Sequence, residues 1–325
     1  MTPTAENLKQ LLPDADARIG IALGSGSARG WSHIGVLKAL AEMGIKPGIV
    51  AGSSIGALVG AAYANNQLNE LERWVCSLTW KEIISFLDLS VVGGGVIQGE
   101  KLFDFARTHM EGVRIDSLPI PFAAVATELE TGREVWLRDG PLLEAIRASI
   151  SLPGLFTPVK RDGQWLVDGG LVDPVPVSLC RAMGAEVVIA VNLNGDIVGK
   201  HGRSNRDRVM KEGNHMENGT SLWERVSEQL KSSLNERRDI LLAQLFGENH
   251  DAPGLFEVMA GSLNIMQDRI TRSRLAEEPP DIILEPRLSH VGLMDYDMGD
   301  EAITEGRACV DRMNGQLLKL TPNDR

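Results

Sequence analysis

Between Arg18 and Ala51 the apolar pattern changes period twice, and this change restricts the fold more than any other stretch of the chain. Arg18 to Leu23 is a short apolar run that ends in Gly24-Ser25-Gly26-Ser27-Ala28-Arg29-Gly30, and beyond that loop Ile34, Leu37, Leu40 and Ala41 recur at helical spacing. Gly44 closes the helix, Pro47 follows it, and Gly48 to Ala51 supplies a second strand. A strand, a crossover helix and a strand pair in parallel, and parallel strands need cover on both faces. Further apolar runs fall at Phe122–Ala126, Val135–Leu137, Trp165–Val167, Val187–Val191 and Ile282–Leu284. Between them lie helical stretches at Leu68–Leu78, Lys101–Met110, Leu142–Ala148 and Pro176–Met183. The expected class is α/β, a mixed and mainly parallel sheet sandwiched by helices.

The second strand runs into Gly52-Ser53-Ser54-Ile55-Gly56, and a helix of small residues, Ala57 to Ala62, follows at once. Such a strand-to-helix corner exposes a hydroxyl and sets it at a helix N-terminus, where amides and dipole favour negative charge. Ser54 is the candidate nucleophile, with Gly52 and Gly56 as the elbow glycines that keep Cβ atoms out of the tight turn. Pro47 to Asn69 carries no charge, and Gly52, Gly56 and Gly60 are spaced as in a membrane helix-dimer motif. The apolar part is shorter than the roughly 20 residues a span needs, and the same glycines fit a helix packed closely on a sheet.

An acyl-transfer serine needs donors where a carbonyl oxygen becomes an oxyanion. The loop of Gly24, Gly26, Ser27, Ala28, Arg29 and Gly30 offers converging amides at the start of a helix. A dinucleotide-phosphate loop also opens a β-α unit with glycines, but it calls for an acid ending the second strand, about 20 residues on. Here that strand ends in Ala51-Gly52-Ser53-Ser54, which weighs against a nucleotide cofactor.

For the base there are two readings. A histidine triad would draw on His290, which follows Glu285-Pro286-Arg287-Leu288-Ser289; His109, His201, His215 and His250 are weaker choices, and His33 suits a local packing role. A carboxylate base would be Asp168, at a strand end before Gly169 and Gly170, where partial desolvation raises its basicity. On these residues alone, Asp168 serves as a turn cap equally well.

With 325 residues, 43% hydrophobic and 24% charged, the chain has material for a sizeable core. One catalytic domain over 18–325 is expected, with a polar excursion at 195–250. The first half of that excursion reads as disorder; in the second, Leu222, Val226, Leu230 and Leu234 form an i, i+4 row. That row suits either a helix on the core or an amphipathic lid over a lipid-binding mouth. A net charge of −11 excludes nucleic acid as an expected partner and weakens attraction to anionic lipid. Cys76, Cys180 and Cys309 form no metal-like or disulfide pattern and are expected to be reduced and buried. Met1 to Asn7 lack the order of a secretory signal, so a cytoplasmic location is expected, with peripheral membrane contact left open.

Taken in order, the Gly24–Gly30 loop, Gly52-Ser53-Ser54-Ile55-Gly56 and Asp168-Gly169-Gly170 resemble the patatin-like phospholipase family, most of all its compact bacterial members. Ala148-Ser149 through Pro153 to Phe156-Thr157-Pro158 is similar to a further block of that family, and the likeness extends into Ser262–Arg274 and Asp281–Pro286. The resemblance implies a three-layer α/β/α fold and a lipid acyl hydrolase of phospholipase A or lysophospholipase type, with neither metal nor cofactor. It implies a Ser-Asp dyad in which Ser54 is acylated and Asp168 is the base, with Gly26, Ser27 and neighbouring amides as the oxyanion hole and Arg29 orienting the loop. Two departures stand out: many members carry more glycine where Ser25 and Ser27 stand, and an Asn where Asp173 stands. The competing readings are a histidine-triad esterase using His290 and a catalytically silent lipid-binding or regulatory module.

Overall fold

The computed structural model describes residues 19–79, 95–97, 104–195 and 255–320. The amphipathic row at Leu222 to Leu234, almost all of the 195–250 excursion, and His201, His215 and His250 lie outside the described residues. In chain order the elements begin β1 (Ile19–Leu23), α1 (Ser32–Glu42), β2 (Ile49–Ser53), α2 (Ile55–Ala64), α3 (Leu68–Ser77), β3 (Gly95–Ile97) and α4 (Asp104–Met110). They continue β4 (Phe122–Glu128), β5 (Glu134–Leu137), α5 (Leu142–Ser149), β6 (Gly154–Phe156), β7 (Val159–Arg161), β8 (Gln164–Asp168), α6 (Val177–Ala182) and β9 (Val187–Val191). The last are α7 (Leu255–Glu277), β10 (Ile282–Leu284), α8 (Gly299–Arg312) and α9 (Asn314–Leu317).

The main sheet runs β10-β9-β1-β2-β4-β8-β7, with β5 also paired to β4. From β10 to β4 the pairings are parallel, whereas β5, β8 and β7 join antiparallel. A separate short pair joins β3 to β6. Alternation along the central strands sends side chains to two faces. Ile19, Ile21 and Leu23 of β1 enter the larger core cluster with Ile34 and Leu37 of α1, Leu58 of α2 and Val310 of α8. Ala22, Ala51, Ala123 and Ala190 face the other way, where Val177, Leu179 and Cys180 of α6 and Leu275 of α7 cover them. Helices on both faces of a mainly parallel sheet make the three-layer α/β/α fold.

The small residues on the α6 face let that layer sit close to the sheet. Cys180 and Cys309 are buried, as the sequence suggests, but Cys76 is exposed. Only Leu71 and Val75 of α3 are buried, so Cys76 lies one residue off its inward stripe. Two further helices lie where hydrophobic spacing indicates none. Helix α7 is polar on its buried side, with Asn264, Gln267, Asp268 and Thr271 turned inward, and carries Val258, Met259, Ile265 and Met266 outward. Helix α8 buries Ala302, Ile303, Cys309 and Val310 amid acidic residues that dilute the pattern. No helix among the described residues is long and apolar enough to cross a membrane.

Candidate active site

Strand β4 brings the two halves of the site together. Ser53, the last residue of β2, pairs with Val125, and Asp168, the last residue of β8, pairs with Ala126. The two strand ends therefore flank β4 at one level, and side chains reach across it. Ser54 follows at φ 54° and ψ −126°, a strained conformation for a residue with a side chain, and α2 starts at the next residue. At the elbow, a Cβ on Gly56 would lie 2.1 Å from the Leu23 carbonyl oxygen, so only glycine lets α2 pass this close to β1. The turn carries Ser54 into a cavity at the positive end of α2.

Asp168 receives the Ser54 hydroxyl. Ser54 Oγ donates to Asp168 Oδ2 at 2.5 Å, and the Gly170 amide donates to Oδ1 at 2.7 Å. Its backbone is pinned as well: the Asp168 amide donates to the Ser151 carbonyl at 3.0 Å, and Thr127 Oγ1 donates to the Asp168 carbonyl at 2.8 Å. Burial raises the carboxyl pKa from its ordinary 3.8 to about 7, against the opposing pull of the Ser54 and Gly170 hydrogen bonds. The glycine after it is required by close approach, since a Cβ on Gly169 would lie 2.3 Å from the Val125 carbonyl oxygen.

The glycine loop divides its amides between anchoring and the cavity. Gly24 donates to Val191 at 3.1 Å, Ser25 to Pro174 at 2.8 Å and Ala28 to Leu293 at 3.3 Å. The amides of Gly26 and Ser27 have no acceptor among the described residues, and both residues line the cavity with Ser54. Arg29 Nε donates to the Gly26 carbonyl at 3.1 Å, and its Nη2 donates to Asn264 Oδ1 on α7 at 3.1 Å. Because a trans peptide points its C=O and N–H in opposite directions, this grip turns the Ser27 N–H away from the guanidinium. Burial lowers the Arg29 pKa to about 10, which leaves it charged at neutral pH. Of the six loop residues that the sequence offers for the oxyanion, Gly26 and Ser27 are thus the free donors, while Gly24 and Ala28 anchor, Arg29 braces and Gly30 packs against Ile55.

No histidine among the described residues lines this cavity. His33 donates from Nε2 to the Gly24 carbonyl at 2.8 Å, and burial depresses its pKa to about 4, so it is a neutral loop support. His290 pairs with Glu301 at 2.6 Å on a partly exposed surface. His109 bonds to the Phe105 carbonyl at 3.0 Å. Asp173 stands apart from Asp168: Ser178 donates to it at 3.2 Å and Arg274 approaches at 3.8 Å.

Three supports have no counterpart in the sequence reading. The Ser149 hydroxyl accepts the Ser54 amide at 3.0 Å, and Ser151 is held in turn by Arg147, whose Nη1 reaches its hydroxyl at 3.1 Å. Both serines lie in the Ala148–Pro158 block, which was legible as a block but not as a brace. Tyr296 reaches the Ser27 hydroxyl at 2.7 Å from far along the chain. Apolar groups complete the cavity, among them Ile55, Ile150, Leu155, Phe156, Leu263 and Leu293. No cluster of metal-ligating side chains occurs among the described residues.

A family model described as patatin-like phospholipase matches residues 21–181, which include the loop, the elbow, Asp168 and the two glycines after it. The chain is also 36% identical to uncharacterised NTE family proteins of Mycobacterium bovis and Mycobacterium tuberculosis, over 90% of its own length and 89% of theirs. The protein belongs to the patatin-like phospholipase family. Members of this family are lipid acyl hydrolases. Patatin-like phospholipase domain-containing protein 6 of Mus musculus is 34% identical across 54% of this chain, a stretch that spans 13% of that larger protein. Among solved structures, VipD from Legionella pneumophila aligns with 92% of this patatin-like chain and 66% of its own, at a TM-score of 0.44 and 12% identity.

Proposed function

We propose that the protein is a serine-dependent lipid acyl hydrolase, of phospholipase A or lysophospholipase type, working through a Ser54–Asp168 dyad and a covalent acyl-enzyme. The observation that carries this reading is the 2.5 Å hydrogen bond from Ser54 Oγ to a buried carboxylate, made inside an apolar cavity beside two free amides. Asp168 Oδ2 takes the hydroxyl proton as Ser54 Oγ attacks the ester carbonyl carbon. The developing oxyanion is met by the Gly26 and Ser27 amides and by the positive end of α2. The tetrahedral species collapses, the leaving alcohol takes the proton back from Asp168, and the acyl group stays on Ser54. Water then attacks the acyl carbon and gives one proton to Asp168. As this second tetrahedral species collapses, Asp168 returns that proton to Ser54 Oγ, releasing a carboxylic acid and free Ser54.

The apolar wall at Ile150, Leu155, Phe156, Leu263 and Leu293 supports a hydrocarbon chain as the acyl part. Elements from both sides of residues 196–254 build one sheet and one cavity, which supports reading 18–325 as a single catalytic unit. We place it in the cytoplasm, with membrane contact limited to the substrate surface. A fluorophosphonate probe and a panel of phospholipid, lysophospholipid and simple esters test the proposal. Wild-type protein is expected to be labelled at Ser54 and to release fatty acid, and Ser54→Ala and Asp168→Asn to lose turnover while keeping the fold. An unlabelled wild type would leave a silent lipid-binding module; full activity in either variant would refute the dyad.

A further inference from the structure

We propose that Tyr296 is a positioning residue for acyl transfer: its hydroxyl and the Leu293 carbonyl clasp the Ser27 side chain and so aim the Ser27 amide at the oxyanion. This inference rests on the function proposed above. Ser27 has φ 52°, in the left-handed region that side-chain-bearing residues seldom adopt, so something must hold it there. Its hydroxyl donates to the Leu293 carbonyl at 2.6 Å. A serine hydroxyl has one proton, and that bond uses it, so the 2.7 Å contact with Tyr296 has the phenol as donor. Burial pushes the Tyr296 pKa up to about 12, which keeps the phenol protonated and donating at any pH suited to ester hydrolysis.

The same segment grips the loop at two more points. The Ala28 amide donates to the Leu293 carbonyl at 3.3 Å, and Trp31 Nε1 donates to the Tyr296 carbonyl at 3.3 Å. Arg29 holds the Gly26 carbonyl on the other side. The Gly26–Ser27 peptide is therefore fixed from both ends, with Leu293 and Tyr296 themselves lining the cavity that contains Ser54. The gripping residues Leu293 and Tyr296 lie outside residues 21–181, whereas the loop they hold lies within that stretch. The ring of Tyr296 has a separate packing role, edge-on to Trp31 at 5.9 Å, and that role does not need the hydroxyl. Replacing the tyrosine by phenylalanine separates the two.

The experiment is a double-variant cycle on the full chain, with Tyr296→Phe, Ser27→Gly and both together, reading kcat, KM and the rate of fluorophosphonate labelling. Losing an oxyanion donor outright costs about 10²-fold or more in kcat, so a loosened donor is expected to cost roughly tenfold. Tyr296→Phe should lower kcat and labelling rate by that factor, keep KM within about twofold, and leave the shape of the pH profile unchanged. Since the phenol acts through Ser27, the double variant should be no slower than the slower single variant. Unchanged kcat in Tyr296→Phe, or losses that multiply in the double variant, would overturn the clasp. Should Ser27→Gly fail to fold, Ser27→Ala completes the cycle. An inert, unlabelled wild type would instead sink the proposed function, an outcome distinct from an active wild type indifferent to Tyr296.

Discussion

The backbone amide of Ser54 donates to the Ser149 hydroxyl across 3.0 Å, tying the strained elbow to the end of α5. Amides in the first turn of a helix have no acceptor within it, and this one is buried at the start of α2, so a side chain must supply the partner. Ser149→Ala leaves a buried donor unsatisfied and is expected to cost about 1–3 kcal/mol. It also frees Ser54 from its unusual backbone geometry. Thermal unfolding should show the lowered stability, and ester kinetics should show a fall in kcat larger than any change in KM. A variant that melts and turns over like wild type would mean that the elbow is held by other contacts.

Asp168 accepts a proton only as a carboxylate, and burial sets its pKa at about 7. The plot of kcat/KM against pH should therefore be level above that value and fall about tenfold per unit below it. In Ser54→Ala the carboxylate loses a hydrogen bond that favours its ionised form, so its pKa should rise further. Carboxyl infrared absorption or NMR titration of the variant reads that shift. A profile flat from acid to alkaline pH would remove Asp168 as the base.

The strand-loop-helix-strand unit was legible because its cues are local. The apolar run of β1, the helical spacing of Ile34, Leu37 and Leu40, and the small residues around Ser54 sit within a few tens of residues of one another. Asp168 was legible as a strand-end carboxylate before two glycines, but its meeting with Ser54 depends on β4 lying between β2 and β8, a long-range pairing. Tyr296 carried no signal, since its partner Ser27 lies 269 positions away and no motif surrounds it. Helix α7 was hidden for a different reason. From Asn264 to Thr271 its inward side is polar because it meets Arg29 and the turn after Asp168, while Leu275 farther along packs on the core, so most of its large apolar side chains point outward. Sequence periodicity finds helices that pack on apolar cores, and this one closes over a polar loop.

His290 offers a test of the triad alternative. Its Nε2 faces Glu301 at 2.6 Å, both side chains are partly exposed, and neither lines the cavity. An exposed pair of this kind contributes about 0.2–1 kcal/mol. His290→Ala should thus melt close to wild type and keep kcat/KM within about twofold. A loss comparable to that of Ser54→Ala would restore histidine to the mechanism and displace Asp168 as sole base.

Asp173 shares Arg274 with Glu134, whose Oε2 lies 2.7 Å from the guanidinium, so two carboxylates compete for one cation. Burial first, and the Glu134 charge second, raise the Asp173 pKa to about 7, with Arg274 and Ser178 pulling the other way. A folded-state pKa above the unfolded value means that the folded chain holds this proton more tightly. The stability it contributes is complete below the unfolded value of 3.8 and is lost as pH rises to about 7. Asp173→Asn removes the titrating charge and leaves Glu134 and Arg274 matched one to one. The variant should accordingly gain on wild type at pH 8, by roughly 2 °C in melting temperature, with the difference shrinking towards pH 5. The kcat/KM limb should stay where Asp168 sets it, because burial, Ser54 and Gly170 govern that carboxyl and Asp173 does not. A gain that grows as the pH falls would reverse the sign argued here, and a displaced limb would couple the two aspartates.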